Sequence, residues 1–214
     1  MTDAHAATVR ALTRVSAPPL VPEVFLHLAD EPFATWEATQ RDQAPDVPPP
    51  FWAFAWAGGQ ALARHVLDHP RTVAGRRVLD LASGSGLVAI SAALAGARSV
   101  TASDVDPLAA TAIGLNTALN GVQVDILADD VLGRGVDGVD VILAGDVCYD
   151  ADLAAAMMTF LRAQRRRGLD VLIGDPLRPY LPDGLTTVAR YEVPGTANLE
   201  ERAVTATAVF AVPA

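Results

Sequence analysis

The chain predicts an α/β fold: a mostly parallel sheet with helices on both faces, finished by an antiparallel hairpin. Three observations lead there. From residue 51 onward, short β-prone apolar runs alternate with helical segments, which is the layout of a parallel sheet. The last two β-prone runs, 186–193 and 204–212, have no helix between them and so should pair antiparallel. Between the first strand and its helix lies Ala82-Ser83-Gly84-Ser85-Gly86, a small-residue loop that lets backbone turn tightly and approach a ligand.

The elements follow in order. Asp3 can cap a short helix with Val9, Leu12 and Val15 on one side. Pro18, Pro19 and Pro22 break the chain, and Val24, Leu26 and Leu28 suit a short strand. Pro32 fits the first turn of a second helix through Trp36, and Pro45, Pro48, Pro49 and Pro50 form a stiff connector. Residues 1–50 are therefore expected to be an N-terminal extension, too small for a core of its own and left for docking or a lid, ahead of a domain at 51–214. Within 51–214, a helix over 59–67 precedes strand one at Arg77–Leu81, a helix over 87–97 and strand two at Ser99–Ser103. A helix over 107–120 stops at Asn120-Gly121, the expected stop chemistry. Strands three and four, 122–127 and 141–144, are apolar enough to be buried on both faces. A helix over 153–161 and strand five at 171–173 lead to the hairpin. The sum is a Rossmann-like seven-stranded sheet, parallel except for its C-terminal hairpin.

Composition narrows the function classes. The 214 residues are 51% hydrophobic and 19% charged, enough for one substantial core, and the formal net charge is −9. A nucleic-acid binder shows the opposite balance, because neutralising phosphates supplies most of its affinity. All 16 basic residues are arginine, which follows most simply from genomic base composition. A single cysteine, Cys148, excludes an intramolecular disulfide, and His5, His27, His65 and His69 lack metal-ligand spacing, so no metal is expected. Neither a signal-peptide pattern nor a bilayer-length apolar run occurs in the sequence, and a cytoplasmic protein without membrane partners is expected.

The loop after strand one specifies a cofactor. Asp80 ends that strand, and Asp104 ends the next one about 20 residues beyond the loop, the distance of a ribose-binding carboxylate. Dinucleotide binding competes, since Gly84-x-Gly86-x-x-Ala89 fits a relaxed fingerprint. Two features oppose it: Asp80 would sit badly beside a pyrophosphate, and the hairpin stands where a second nucleotide-binding half would be. S-adenosylmethionine carries an ammonium and a sulfonium and no phosphate, so an acidic pocket suits it. Asp80-x-x-x-Gly84-x-Gly86 followed by Asp104 resembles motif I and the following acid of class I S-adenosylmethionine-dependent methyltransferases. The resemblance covers 51–214. It implies that Gly84 and Gly86 line the methionine end near Asp80, that Asp104 accepts the ribose hydroxyls, and that Asp130, or its neighbour Asp129, meets the adenine amine. Ser83, Ser85 and Trp56 join them as cofactor-binding candidates.

Strand four carries the acceptor question. It ends in Asp146-Val147-Cys148-Tyr149, without the two prolines that present backbone carbonyls to a nucleobase amine or glutamine amide. This D-x-x-Y pattern resembles the signature of seven-strand protein-lysine methyltransferases. A carboxylate there suits an arriving ammonium, and a tyrosine can orient it, so Asp146 and Tyr149 are the catalytic candidates. Their competing roles are a helix N-cap and a core aromatic. Phe51-Trp52-Ala-Phe54-Ala-Trp56-Ala-Gly58-Gly59 can cover the adenosine, line the acceptor channel or simply lid the core. This run, motif I and Gly145-Asp-Val-Cys-Tyr-Asp150 are together similar to the electron transfer flavoprotein β-subunit lysine methyltransferases, as are Pro22-Glu23 and Trp36; Ala82-Ser83 departs from the common Gly-Cys. The resemblance implies the β-subunit of that flavoprotein as protein substrate. The rivals are a ribosomal protein L11 methyltransferase-like enzyme, sharing Asp104-Val-Asp106-Pro107, and a cofactor-binding adaptor without catalysis. Arg162, Arg165, Arg166 and Arg167 should complement a helix C-terminus away from the site, and Cys148 should only pack.

Overall fold

A computed structural model describes residues 3–30, 49–133, 135–195 and 204–213. The expected helix from Pro32 through Trp36, and Pro45 and Pro48, lie outside the described residues. A seven-stranded sheet runs β3 (Arg77–Leu81), β4 (Ser99–Ser103), β5 (Asp125–Leu127), β6 (Val141–Gly145), β7 (Asp170–Asp175), β8 (Thr186–Pro194) and β9 (Val204–Ala211) in chain order. Its spatial order is β5-β4-β3-β6-β7-β9-β8. The first five are parallel; β9 is antiparallel to both β7 and β8. A separate antiparallel pair, β1 (Arg14–Ser16) and β2 (Leu26–Leu28), forms near the N-terminus.

Alternation along the central strands divides the core between two faces. Val78, Val141, Leu143 and Leu172 point to α2 (Ala57–Asp68) and α3 (Leu87–Leu94). Leu79, Ile142, Ala144, Val171 and Ile173 point to α5 (Ala151–Arg166). Strand β6 is buried on both faces, as its unbroken apolar run suggested. Strand β5 is not. It is shorter than expected and mostly exposed, because it is the sheet edge and only β4 pairs with it.

Helix ends explain the other boundary shifts. Helix α3 stops at Leu94, short of residue 97: Gly96 takes φ 86°, its N–H donates to the Ala93 carbonyl, and the Ala97 N–H donates to Ala92. The alanine-rich run masked that stop. Helix α4 (Pro107–Leu119) ends in the same way at Asn120-Gly121, as expected. Helix α5 runs five residues past 161 to a third such cap at Gly168, so Arg162, Arg165 and Arg166 lie within it. Arg165 bonds the Leu169 carbonyl and Asp170, and Arg167 bonds Gln164 and Asp137, at the end of the sheet opposite the strand C-termini.

The N-terminal residues pack on the sheet domain through α4. Helix α1 (Asp3–Leu12) has Asp3 in its first turn and buries Ala6 and Val9 in a cluster with Trp52, Phe54 and Leu108. Val15, expected on the same apolar side, instead lies in β1 and is exposed. Asn116 on α4 and Asn120 at its C-cap accept the His27 and Phe25 N–H groups at 2.8 and 2.9 Å. Asn116 also donates to the Ser85 carbonyl at 2.8 Å, joining this segment to the glycine loop.

Candidate active site

Strand order reverses at β3, whose neighbours are β4 and β6. Helices leave these strands in opposite directions, and a crevice opens beyond their carboxyl ends. A cavity of about 540 Å³ lies there, lined by Asp80, Gly84, Asp104, Asp130, Asp146 and Tyr149 among others. The structure thus brings together the sequence candidates from four different strands, and Trp56, Ser83 and Ser85 line the same space; Gly86 lies behind the loop.

The loop after β3 is held by its own acid. Asp80 is buried, and its Oδ2 accepts the Ser83 hydroxyl at 2.5 Å and the Ala89 N–H at 3.0 Å. Burial pushes its carboxyl up to about 7 against those two bonds. Asp80 therefore ties the loop to the first turn of α3, a role additional to facing a ligand. Gly84 and Gly86 both take positive φ, and a Cβ on Gly86 would press on Ile113 at 3.3 Å. Asp104 accepts the Gly84 N–H at 2.8 Å and the Asp106 N–H at 3.0 Å, one on each oxygen. A carboxylate has about four acceptor positions, so both oxygens keep capacity for hydroxyl donors. Burial raises the Asp104 pKa, and the backbone donors oppose the rise. Asp130 accepts the N–H of Leu132 at 2.8 Å, and the Asp129 carbonyl accepts the Ser103 hydroxyl.

The other half of the cavity is built across β6, β7 and α2. Gly145 and Gly174 are register partners at the ends of β6 and β7. A Cβ on Gly174 would lie 2.1 Å from the Gly58 carbonyl oxygen, and one on Gly145 would lie 2.8 Å from the Gly59 Cα. The start of α2 thus rests directly on strand backbone, which explains Gly58, whose own Cβ would lie 2.3 Å from the Gly174 carbonyl oxygen. Asp146 follows with φ 57°, its N–H donating to the Gly174 carbonyl at 2.9 Å. Its Oδ2 accepts the Gly59 N–H at 2.9 Å, at a helix N-terminus that favours a carboxylate. Its Oδ1 accepts Arg178 Nη2 at 2.7 Å and Nε at 3.2 Å. Burial raises the Asp146 pKa, and the Arg178 charge and hydrogen bond oppose it most.

Arg178 was not among the sequence candidates, nor was Asp175. One signal could have found them: β6 and β7 both end in Gly-Asp, at Gly145-Asp146 and Gly174-Asp175. Asp175 Oδ1 accepts the Arg178 N–H at 2.7 Å, while its buried Oδ2 has no partner among the described residues. Burial pushes its carboxyl up to about 6.

The aromatic run divides. All four of its aromatics line the cavity, but Trp52 and Phe54 are buried against α4, whereas Phe51 and Trp56, with Tyr149, form its more exposed wall. The Phe51 ring lies 5.2 Å from Tyr149 and 5.9 Å, edge to face, from Trp56. The Trp56 indole N–H donates to the Phe51 carbonyl at 2.9 Å. Tyr149 is half-exposed and is not the core aromatic of its alternative reading; Asp150, not Asp146, caps α5. Burial, then Asp104 and Asp150, raise the Tyr149 pKa, so the phenol keeps its proton. Cys148 is buried, with its thiol pushed up to about 12 by burial and by Asp175 and Asp146, as a packing residue should be.

Magnesium protoporphyrin IX methyltransferase from Synechocystis PCC 6803, solved with bound S-adenosylmethionine, shares the fold at TM-score 0.52 and 17% identity, over 73% of this chain and 80% of that one. That likeness is one of fold: a Rossmann-like sheet with a crevice beyond its switch point. A model of the ribosomal protein L11 methyltransferase family matches residues 61–149, the stretch from α2 to Tyr149. Two electron transfer flavoprotein beta subunit lysine methyltransferases match far more. The Danio rerio protein is 38% identical over 92% of this chain and 78% of its own length. The Xenopus laevis protein is 42% identical over 78% and 68%. This chain belongs to the electron transfer flavoprotein beta subunit lysine methyltransferase family; S-adenosylmethionine is the donor bound by the Synechocystis protein. The cavity fits that donor: carboxylates and aromatic walls face it, and Arg178, the one basic side chain among the described residues lining it, is committed to Asp146.

Proposed function

We propose that this enzyme N-methylates lysine side chains of the electron transfer flavoprotein β-subunit. The observation that carries the reading is the two-ended cavity. Gly84 and Asp104 lie at one end, and Asp146, Tyr149 and the Phe51–Trp56 wall lie at the other. In this reading Gly84, Ser83 and Ser85 surround the methionine end, with Gly86 turning their loop from behind and Asp80 holding it. Asp104 receives the ribose hydroxyls, Asp130 the adenine amine, and Trp56 covers the nucleoside. Bound S-adenosylmethionine supplies a methyl group that the amine nitrogen takes as the S–C bond breaks, sulfur keeping the electron pair. Asp146 and Tyr149 orient the amine, whose proton leaves to water. The aromatic wall admits a long aliphatic stem and keeps solvent from the reacting nitrogen. Residues 1–50 serve substrate docking, on the support that residues 3–30 pack beside the glycine loop through Asn116. A cytoplasmic location belongs to the same proposal; among the described residues no helix is long and apolar enough to cross a membrane.

The test uses purified protein, labelled methyl donor and the recombinant flavoprotein, with the labelled residue identified by mass spectrometry. Label on β-subunit lysines is expected. Label on ribosomal protein L11 instead, or none despite cofactor binding, overturns the reading.

A further inference from the structure

Arg178 sits on a loop shaped to aim it. Pro176 and Pro179 bracket the turn, Leu177 takes φ 63°, and the Arg178 N–H is fixed on Asp175. A left-handed leucine is a costly conformation that surrounding structure must impose. Its result is a guanidinium with two nitrogens on one oxygen of Asp146, beside the cavity where the amine arrives.

We propose that Arg178 is a positioning residue that cancels the charge of Asp146, so that the acceptor lysine sheds its proton near neutral pH. This rests on the lysine reading above. A bare carboxylate at the acceptor end would hold the amine as ammonium, which has no lone pair for attack. With Arg178 in place, Asp146 orients the nitrogen without a net negative charge at its side. Other titratable groups face Asp146 as well, and one of them carries its own charge near neutral pH. From α2 come only the N–H groups of its first turn. From β7 comes Asp175, pushed up to about 6 by burial, which carries a negative charge above that pH and is itself offset by Arg178; beyond β6 come Cys148 and Tyr149, both held in their neutral forms. Asp104 and Asp150 act on Tyr149 and are not among the groups that shift Asp146.

The experiment measures kcat and KM for the flavoprotein β-subunit against pH in the wild type, Arg178→Gln, Arg178→Lys and the double variant Arg178→Gln/Asp146→Asn. Cofactor affinity is measured by calorimetry. In Arg178→Gln the acid limb of kcat should move up by roughly one pH unit or more. Its KM should be unchanged or lower, with cofactor affinity unchanged. Arg178→Lys should keep the wild-type limb, and the double variant should return it towards the wild-type position. An equal loss at every pH in Arg178→Gln, or a limb that ignores the second substitution, overturns the inference. If the wild type labels no β-subunit lysine, the substrate reading fails first and takes this inference with it.

Discussion

The two ends of the cavity are made by different means. At the cofactor end, Asp80 accepts from the Ser83 hydroxyl and the Ala89 N–H, and Asp104 from the Gly84 and Asp106 N–H groups, all within about one βαβ unit. At the acceptor end, Asp146 is held by Gly59, 87 residues away, and Arg178, 32 residues away, over a backbone contact among Gly58, Gly145 and Gly174. A local site tolerates change elsewhere in the fold. A site assembled from three distant segments depends on every packing distance between them, and its geometry is the more sensitive to a single methyl group.

Substitutions can break this contrast. Asp146→Ala leaves Arg178 and the Gly59 N–H without their acceptor; kcat should fall about a thousandfold while cofactor binding stays intact. Isothermal calorimetry beside initial rates checks both halves, and an active variant would remove Asp146 from the acceptor site. Gly174→Ala puts a methyl group into the Gly58 carbonyl, where only backbone can yield. We expect about 3 kcal/mol of lost stability in urea unfolding, with the acceptor end losing activity before the cofactor end loses affinity. Asp104→Ala should do the converse, weakening cofactor binding about fiftyfold through lost charge-assisted hydrogen bonds. A smaller effect than a few-fold would show that the donor is held elsewhere.

The mildest prediction concerns pH. The Asp80 carboxyl is pushed from an ordinary 3.8 up to about 7 by burial. Between those values the folded protein holds more protons than the unfolded chain, so this group makes stability fall as pH rises from about 4 to about 7, with no added slope above. Asp80→Asn keeps an acceptor for Ser83 and Ala89 and should flatten, without abolishing, that decline, since Asp175 at about 6 contributes in the same direction. Urea midpoints measured from pH 4.5 to 8 compare the two; identical slopes would mean that Asp80 titrates as an ordinary carboxylate.

Legibility in the sequence follows the same division. Strand periodicity, the glycine loop and the spacing from Asp80 to Asp104 are short-range patterns, so β3, β4, the hairpin and the cofactor end could be written down residue by residue. The D-x-x-Y segment was visible as a motif, but its partners were not. The boundaries of α3 and α5 were displaced because their caps depend on which glycine adopts positive φ, and the extent of β5 was decided by its place at the sheet edge. By itself the sequence determined the fold class and singled out Asp146 and Tyr149 as candidates, because those rest on local backbone preference and on contiguous motifs. Only the tertiary structure decided that Asp146 is neutralised by Arg178 and seated on the first turn of α2. Register between β6 and β7, and the absence of three Cβ atoms between strand and helix, bring those groups within hydrogen-bonding distance, and no pattern along the chain encodes that distance.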